Sequence, residues 1–263
     1  MPKFAANLTM MFNELPFLER FDAAAAAGFG AVEFLFPYDY PAQALRDRLD
    51  GNGLKLVLHN LPAGDWGAGE RGIACDPARV DEFRHGVGRA IEYAQALGCL
   101  RVNCLAGIVA ERQHDIAQRT LIENLRYAAQ RLRAAGITLL LEPVNTRDIP
   151  GFFVNRSQQA LAIIDAVGAD NLQLQFDLYH AQVMEGDLTH TIETQFSRIG
   201  HLQLADNPGR HEPGTGEINY PYLFRRLDEL GYQGWIGCEY KPRTSTAAGL
   251  DWFAPWRSAS KAL

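Results

Sequence analysis

A chain of 263 residues, 47% of them hydrophobic, is long enough to form one large hydrophobic core. Its formal net charge of −6 disfavours a nucleic-acid binder, because such proteins usually present a basic face to the phosphates. The sequence contains no run of about 18 apolar residues and no signal-peptide pattern at MPKFAANLTMMF, so we expect neither membrane insertion nor export.

Eight short apolar runs alternate with segments of helical composition. Each run is rich in Val, Ile and Leu, which is typical of strands buried on both faces of a parallel sheet. In chain order the predicted strands cover 3–8, 31–36, 55–60, 101–106, 138–143, 172–177, 199–206 and 234–240. Predicted helices lie at 16–29, around 41–50, over about 20 residues ending at Gly98, and at 116–135, 157–167, 189–198 and 221–230.

Eight strand–helix alternations without a break in composition predict an α/β fold, a single (β/α)8 barrel domain over residues 1–263. The competing architecture is a doubly wound sheet, which favours a glycine-rich turn after the first strand. The segment that follows the first strand, NLTMMFNELP, contains no glycine. We therefore prefer the closed barrel, and we expect the aromatic residues Trp252, Phe253 and Trp256 of the 242–263 tail to lie on a closing helix.

Two glycine-rich stretches, 61–77 and 207–220, interrupt the alternation. The first contains GAGERG (67–72), which has neither the spacing nor the Lys-Ser/Thr pair of a nucleotide-binding loop. Long loops at the catalytic face of a barrel often act as lids. We expect the glycines of 61–77, namely Gly64, Gly67, Gly69 and Gly72, to permit hinge motion.

The cysteines indicate a reducing compartment. The chain has four, Cys75, Cys99, Cys104 and Cys238, and none belongs to a CxxC pair. A chain of this size needs no disulfides to fold, so we expect free thiols and a cytoplasmic protein. The sequence leaves the oligomeric state open, a homo-oligomer included.

Polar side chains close the last four predicted strands: Glu142, Asp177, Gln203 and Glu239. The C-terminal ends of barrel strands converge on one mouth. Three carboxylates would repel one another there unless a divalent cation lay between them. Oxygen ligands favour a hard cation, so these four residues predict a Mg²⁺ or Mn²⁺ site. For Gln203 the alternative is a hydrogen bond to a bound water, because an amide is a weak ligand.

Glu142 and Glu239 are also the candidates for proton transfer. They end strands five and eight, which lie on opposite sides of the barrel mouth. Two carboxylates facing each other across a small substrate can remove a proton from one carbon and return it elsewhere, while a cation stabilises the enediolate. The alternative for either residue alone is an ion pair with a loop arginine.

Several other side chains near the same mouth are candidates for substrate binding. His180 follows Asp177 by three residues and can donate to a substrate oxygen or cap the next helix. Arg210, in the loop after strand seven, is our first candidate for a two-point contact to a substrate carboxylate. His211 and Lys241 are further anion contacts, and solvated surface groups are the alternative for all three.

The second and third strands contribute polar residues as well. His59, at the end of strand three, is a candidate for substrate binding or for orienting a neighbouring group, as is Asn60. Glu33 lies inside strand two, where a structural role is the preferred interpretation.

Long motifs make the chain resemble the hydroxypyruvate isomerase family. They span nearly the whole chain: FPYDY (36–40), HNLPAGDWGAGERGIA (59–74), ENLRYAA (123–129), DIPGF (148–152), IGHLQLADNP (199–208), EPGTGEINY (212–220) and GCEYKP (237–242). That family belongs to the xylose-isomerase-like barrels, with the ketose 3-epimerases and endonuclease IV. The resemblance implies an isomerase of hydroxypyruvate and tartronate semialdehyde that uses no nicotinamide or flavin.

The resemblance also implies site residues. The proton-transfer pair of the family corresponds to Glu142 and Glu239, and the metal cluster of the wider barrels to these two with Asp177 and Gln203. Related ketose epimerases have histidine where this chain has Gln203. Because DLYHAQ (177–182) and EYKPR (239–243) also resemble the 2-oxo-tetronate isomerases, a four-carbon substrate is the alternative.

Two functions of other classes compete with an isomerase. Phosphodiester hydrolysis, as in endonuclease IV, uses several histidines and a basic groove, whereas this chain has seven scattered histidines and negative charge. A non-catalytic sugar-acid sensor would not need both Glu142 and Glu239. We therefore expect a small hydroxy-oxo acid as the partner, with no nucleic acid and no membrane.

Overall fold

The computed structural model describes residues 1–257 and contains a closed barrel of eight parallel strands in sequence order. Strands β1 to β8 are Lys3–Asn7, Ala31–Glu33, Lys55–Asn60, Arg101–Cys104, Thr138–Leu141, Leu172–Asp177, Ile199–Leu204 and Trp235–Cys238. β8 pairs with β1 and closes the ring, with Phe4 opposite Ile236. The predicted (β/α)8 barrel is confirmed.

Helices surround the barrel between successive strands. Helices α1 to α8 are Arg20–Ala27, Ala42–Asn52, Val80–Leu97, His114–Ala134, Ser157–Val167, Leu178–Met184, Leu188–Gln195 and Tyr220–Glu229. Gly98 ends α3 in the left-handed conformation, with φ of 69°, as its position after the last apolar residue predicts. The 157–167 prediction agrees with α5 residue for residue.

The largest differences from the sequence predictions inside the barrel are the length of β2 and one additional helix, α6. β2 is half its predicted length, because its register against β3 shifts between Val32 and Glu33. The short helix α6 was not predicted, because it begins without a linker at the last residue of β6. The Asp177 carboxylate accepts hydrogen bonds from the backbone N–H groups of Tyr179 (2.7 Å) and His180 (3.3 Å), so one residue ends the strand and caps the helix.

The barrel interior changes from apolar to polar along the strands. A small apolar cluster comprises Ala5, Ala31, Val57, Leu58 and Leu140. Side chains alternate between the two faces of a strand, so residues two positions apart share a face. Two positions beyond four of these residues come the polar side chains Asn7, Glu33, His59 and Glu142. The strand period therefore aims these polar groups into the barrel near its C-terminal mouth.

The tail closes against the outside of β1. A 3-10 helix, Asp251–Trp256, takes the place of the predicted closing helix. Its Phe253 is fully buried and stacks on Phe29 at 4.3 Å, and Trp252 meets Phe4 edge-on at 5.1 Å. Residues 258–263 of the predicted helix lie outside the described residues. Among residues 1–257, the helices are all too short or too polar to cross a membrane.

Candidate functional site

A cavity of about 720 Å³ opens at the C-terminal ends of the strands. Five of the predicted site residues line it: Glu142, His180, Arg210, Glu239 and Lys241. The cavity wall also contains residues that the sequence did not single out, including Trp66, Arg71, Arg147, Asp148 and Tyr179. The cavity thus lies at the strand ends that the sequence singled out, and much of its wall comes from residues outside that prediction.

Four buried side chains converge beneath this cavity. Glu142, Asp177, His180 and Glu239 each place one ligand atom within 4.8 Å of the others. Glu142 and Glu239 directly follow β5 and β8, and Asp177 is the last residue of β6. The barrel thus brings together three of the four residues predicted as metal ligands, together with a histidine.

Burial and crowding disturb the ionisation of the two glutamates. Desolvation and the nearby Asp177 carboxylate raise the pKa of Glu142 from 4.5 to about 8, although a hydrogen bond from Asn103 opposes the shift. Desolvation also raises the pKa of Glu239 well above its usual value, against the opposing charge of Arg210. Two buried carboxyl groups at this separation hold a proton more readily than free glutamates do.

The cluster fits a hard divalent cation. The Oδ2 atom of Asp177 is buried and, within residues 1–257, has no hydrogen-bond partner, while its Oδ1 serves as the helix cap. A carboxylate oxygen without a hydrogen bond, among two further carboxylates, is the donor set that Mg²⁺ or Mn²⁺ prefers. A cation there would also relieve the repulsion that raises the pKa of Glu142.

Gln203, the fourth predicted ligand, is oriented by a buried hydrogen-bond chain. Its Nε2 donates to Glu33 Oε1 at 2.8 Å, and its Oε1 accepts from Gln175 Nε2 at 2.6 Å. Glu33 also accepts from Asn7 (2.9 Å) and lies 2.7 Å from His201 Nε2. A carboxylate can only accept hydrogen bonds. The NH2 group of the Gln203 amide therefore faces Glu33, and the amide oxygen faces away from Glu33, toward Gln175.

Arg210 lies among the acids instead of standing apart from them. Its Nη2 donates to Glu239 Oε2 at 3.0 Å and lies 3.9 Å from Asp177 Oδ2, and its Nη1 lies 3.8 Å from Asp148 Oδ2. Burial lowers the pKa of the guanidinium, but the surrounding carboxylates outweigh that effect and raise it overall. Arg210 therefore offsets negative charge inside the cluster.

The geometry around His180 defines its tautomer. Its Nδ1 accepts from the Asn145 backbone N–H (3.4 Å) and from Asn145 Nδ2 (2.6 Å), whose amide is oriented by Asp148 N donating to Oδ1. Burial lowers the pKa of His180 to about 4, so the ring is neutral near pH 7. The shorter contact, on Nδ1, favours the tautomer with the proton on Nε2, where it faces the cluster. The Arg210 guanidinium, which can only donate, lies 3.4 Å from Nε2 and opposes this tautomer.

Two further predicted residues lie at the edges of the site. His59 is fully buried in the barrel interior beside Tyr38, and burial lowers its pKa to about 4. The neighbouring Asn60, in contrast, lines the cavity. Lys241 is exposed at the mouth, and its backbone N–H donates to the Arg210 carbonyl at 2.7 Å, which ties the two loops together.

Asn103 in β4 is a site residue that sequence reasoning missed. It is fully buried, and its Nδ2 donates to Glu142 Oε2 at 2.7 Å. A signal was available, since an asparagine inside the apolar run RVNCLA is unusual for a buried strand. Its contact with Glu142 could not be predicted, because the sequence does not give the strand register. That register places Asn103 opposite Leu140, two residues before Glu142.

Comparisons with known proteins agree with this geometry. The family model described as xylose isomerase-like TIM barrel matches residues 21–256. Hydroxypyruvate isomerase of Escherichia coli is 56% identical, covering 98% of this chain and 100% of that protein. The 2-oxo-tetronate isomerase of Cupriavidus necator is 54% identical, covering 97% and 99%.

Solved structures extend the comparison. A Brucella melitensis protein described as an AP endonuclease of family 2 is 52% identical, with a TM-score of 0.96 over 98% of this chain and 100% of its own. The 3-keto-D-glucoside 4-epimerase of E. coli, 20% identical over 97% and 99% of the two chains with a TM-score of 0.81, shares the fold. The chain thus belongs to the xylose isomerase-like TIM barrel family, and within it to the group of the hydroxypyruvate and 2-oxo-tetronate isomerases.

Proposed function

We propose that this protein interconverts hydroxypyruvate and 2-hydroxy-3-oxopropanoate (tartronate semialdehyde). The observation that carries the proposal is the buried pair Glu142 and Glu239, which share one cavity and whose pKa values are both raised. Groups with a pKa near neutrality are suited to taking up and returning a proton at working pH. The E. coli relative, whose name gives this activity, supports the substrate.

The reaction needs one carbon-bound proton to move between neighbouring carbons. One glutamate, as carboxylate, removes a proton from C3 of hydroxypyruvate and leaves an enediolate. A proton is then returned to C2 by the second glutamate or by the first, while the hydroxyl proton moves from the C3 oxygen to the C2 oxygen. Glu142 and Glu239 lie close enough together to serve both carbons of one small substrate.

The neighbouring side chains assist this transfer. His180, protonated on Nε2, donates to a substrate oxygen and lies 4.0 Å from Glu142 Oε1. Arg210 supplies positive charge beside Glu239, where the oxygens of the enediolate gain negative charge. Lys241 and His59 complete the proposed substrate-binding set, the first at the mouth and the second within the barrel.

A divalent cation, Mg²⁺ or Mn²⁺, is part of the proposal. Glu142, Asp177, Gln203 and Glu239 would hold it through oxygen atoms. Bound there, it would polarise the substrate carbonyl and stabilise the charge of the enediolate. The Oδ2 of Asp177, which has no hydrogen-bond partner among residues 1–257, supports this ligand set. Gln203 would bind through the second lone pair of its Oε1, which already accepts a hydrogen bond from Gln175. The proposal includes no nicotinamide or flavin.

A four-carbon 2-oxo acid is the second candidate substrate. The C. necator relative at 54% identity is named a 2-oxo-tetronate isomerase, which is nearly as similar as the E. coli protein. A cavity of about 720 Å³ has room for one more hydroxymethylene group. The proposed catalytic groups are the same for both substrates. The residues that line the cavity therefore determine which substrate is preferred.

The deciding experiment is a substrate panel in D2O. Purified protein with Mg²⁺ or Mn²⁺ is given hydroxypyruvate and 2-oxo-tetronate, and isomer formation and deuterium incorporation at carbon are followed by NMR. Isomerisation with solvent exchange supports the proposal, and the ratio of kcat/KM values identifies the preferred chain length. Nicking of abasic-site DNA without any isomerisation would instead favour the endonuclease alternative raised by the B. melitensis relative.

We also propose a cytoplasmic location, without nucleic-acid or membrane partners. All four cysteines are free and buried, and burial raises the pKa of Cys75 to about 12. Thiols without disulfide partners are typical of proteins that work in reducing compartments. Fractionation of cells that express the tagged protein tests the location.

A further inference from the structure

The loop between β3 and α3 brings a second arginine to the cavity. Arg71 is half-buried in the cavity wall, and its guanidinium carbon lies 4.2 Å from the centre of the Trp66 ring. Its Nη1 donates to the carbonyl oxygens of Trp66 at 3.0 Å and Glu70 at 2.7 Å. The stacking and the two hydrogen bonds fix the plane of the guanidinium.

The other edge of this guanidinium is unused. In the part of the chain that the structure describes, Nε and Nη2 of Arg71 donate no hydrogen bond, and no carboxylate forms an ion pair with Arg71. Nε–H and one N–H of Nη2 point the same way and match the two oxygens of a carboxylate. Arg71 therefore offers a preformed two-point contact that no other group within residues 1–257 occupies.

The segment before Arg71 is braced by Glu70. The Glu70 carboxylate accepts from Arg79 Nη1 at 2.5 Å and from the backbone N–H of Asp65 at 2.5 Å. A Cβ at Gly64 would overlap this carboxylate, so the glycine allows the close approach of the acid. Gly64, one of the glycines expected from the sequence to permit hinge motion, thus has a packing explanation.

The segment after Arg71 is equally constrained. Gly72 has φ of +123°, which glycine adopts freely, and its N–H donates to the Ala63 carbonyl at 3.0 Å. A Cβ at this position would overlap the backbone carbonyl of Leu105. With both neighbours held, Arg71 is fixed before ligand arrives, so binding to it costs little conformational entropy.

Two of the three arginines of the cavity wall, Arg71 and Arg210, differ in the charge that remains available. Arg210 already donates to Glu239 and has Asp177 and Asp148 within 4.0 Å, so an incoming anion would meet several carboxylates beside it. Within residues 1–257, Arg71 has no such acid beside it. The other cations of the wall, Arg147 and Lys241, are exposed and lack the stacking that holds Arg71 in place.

We propose that Arg71 binds the carboxylate of the substrate, with the Nε–Nη2 edge of its guanidinium against the two carboxylate oxygens. This inference rests on the proposed function, since it names the part of the same cavity that recognises a 2-oxo acid. The two arginines then have separate roles, because Arg71 anchors the unreactive end of the substrate while Arg210 stays with the reacting oxygens. An aldose or ketose of similar length without a carboxylate would lose this contact.

The test compares Arg71→Ala and Arg71→Lys with the unmodified enzyme on hydroxypyruvate, with cation present. We expect KM to rise on the order of tenfold to a hundredfold in Arg71→Ala, with kcat changed much less, because the contact is made equally in the ground and transition states. Arg71→Lys keeps the charge but loses the fork, so its KM should lie between the two. The Ki of glycerate, which keeps the carboxylate but cannot isomerise, should rise in parallel.

Arg84→Ala is the matched control, because Arg84 also stacks on an aromatic ring, that of Tyr127 at 5.1 Å, but lies outside the cavity wall. Its KM should equal that of the unmodified enzyme. If Arg71→Ala folds with the same Tm and keeps KM and the Ki of glycerate within twofold, the inference is wrong. If Arg71→Ala does not fold, the Arg71→Lys values decide by the same criterion. If the unmodified enzyme isomerises no 2-oxo acid, the proposed function itself fails.

Discussion

The two halves of the barrel contribute different chemistry to one cavity. β5 to β8 end in the groups that can bind a cation or carry a proton: Glu142, Asp177, Gln203 and Glu239. β1 to β4 contribute Asn7, Glu33 and Asn103, which hydrogen-bond to one another or to those groups across the barrel. In the proposed reaction the second half transfers the proton and holds the cation, and the first half sets orientation and ionisation.

The difference follows from where each side chain lies along the barrel axis. Glu142 and Glu239 come one residue after their strands end, so their carboxyl groups reach the cavity. Glu33 and Asn103 lie within strands that are paired on both sides, one layer lower, and are fully buried. Glu142 and Glu239 thus reach the cavity from just beyond their strands, whereas Glu33 and Asn103 do not line it.

The largest effect is expected where the reacting half is broken. Glu142→Gln and Glu239→Gln keep side-chain size but remove the proton-accepting carboxylate, so each should reduce kcat at least about a hundredfold. Steady-state kinetics and deuterium exchange into hydroxypyruvate measure this. Glu92→Gln on the exposed face of α3 is the control and should be unaffected. A glutamine variant that retains full exchange does not carry the proton.

A smaller effect is expected where the supporting half is broken beneath the cation site. In Glu33→Gln the new amide can donate to Gln203, so the Gln203 oxygen is no longer kept facing away from residue 33. We expect cation affinity to fall roughly tenfold to a hundredfold, the usual scale for groups that orient a ligand. Calorimetric titration of chelator-treated protein with Mn²⁺ measures this, and unchanged affinity would exclude an orienting role for Glu33.

Asn103→Ala tests the support of the proton-transfer pair. The hydrogen bond from Asn103 to Glu142 favours the ionised carboxylate, so its loss should raise the pKa of Glu142 further. We expect kcat at pH 7 to fall about tenfold and the pH profile of kcat to move to higher pH. Asn52→Ala removes a surface asparagine contact to Asp22 and serves as the control. A lower kcat with an unmoved profile would indicate packing damage instead.

The sequence located the reacting half better than the supporting half, for a physical reason. Each of Glu142, Asp177 and Glu239 stands at the end of an apolar run, and strand ends in a barrel meet whatever the register. In the structure, one ligand atom from each of these three residues and from His180 lies within 4.8 Å of the others. Arg210 was chosen as a cation in the loop after strand seven, but its ion pair with Glu239 depends on a loop conformation with φ of 58° that no pattern indicates.

The supporting half depends on register and on pairings across the barrel. Glu33 meets Gln203 and His201 over 170 and 168 positions of sequence, and a shift of one residue would turn Glu33 out of the interior. The role of Gly237 illustrates this dependence, since a Cβ there would overlap the Glu33 carboxylate. Such contacts are set by the closure of the barrel, so a single sequence predicts the polar residue but not its partner.

The smallest expected effect is on stability, and it concerns the chelator-treated protein. Burial raises the pKa of Glu142 to about 8, whereas burial lowers the pKa values of His180 and His59 to about 4. Below pH 6.5 the two effects oppose each other, because the unfolded histidines bind protons that the folded ones do not. Between pH 6.5 and about 8 the histidines are neutral in both states. Glu142 binds a proton in the folded state alone, and the raised pKa of Glu239 acts in the same direction.

In that window the folded state binds more protons than the unfolded state, so the free energy of unfolding must fall as pH rises. One proton corresponds to at most about 1.4 kcal/mol per pH unit. Tm measured by calorimetry in chelator should therefore decrease from pH 6.5 to 8, and Glu142→Gln should flatten the decrease. Saturating Mg²⁺ should flatten it too, since a cation bound by Glu142 favours the ionised carboxylate in the folded state. A Tm that rises over this window without cation would mean that Glu142 is already ionised, and the raised pKa on which the proposed role of Glu142 rests would then be wrong.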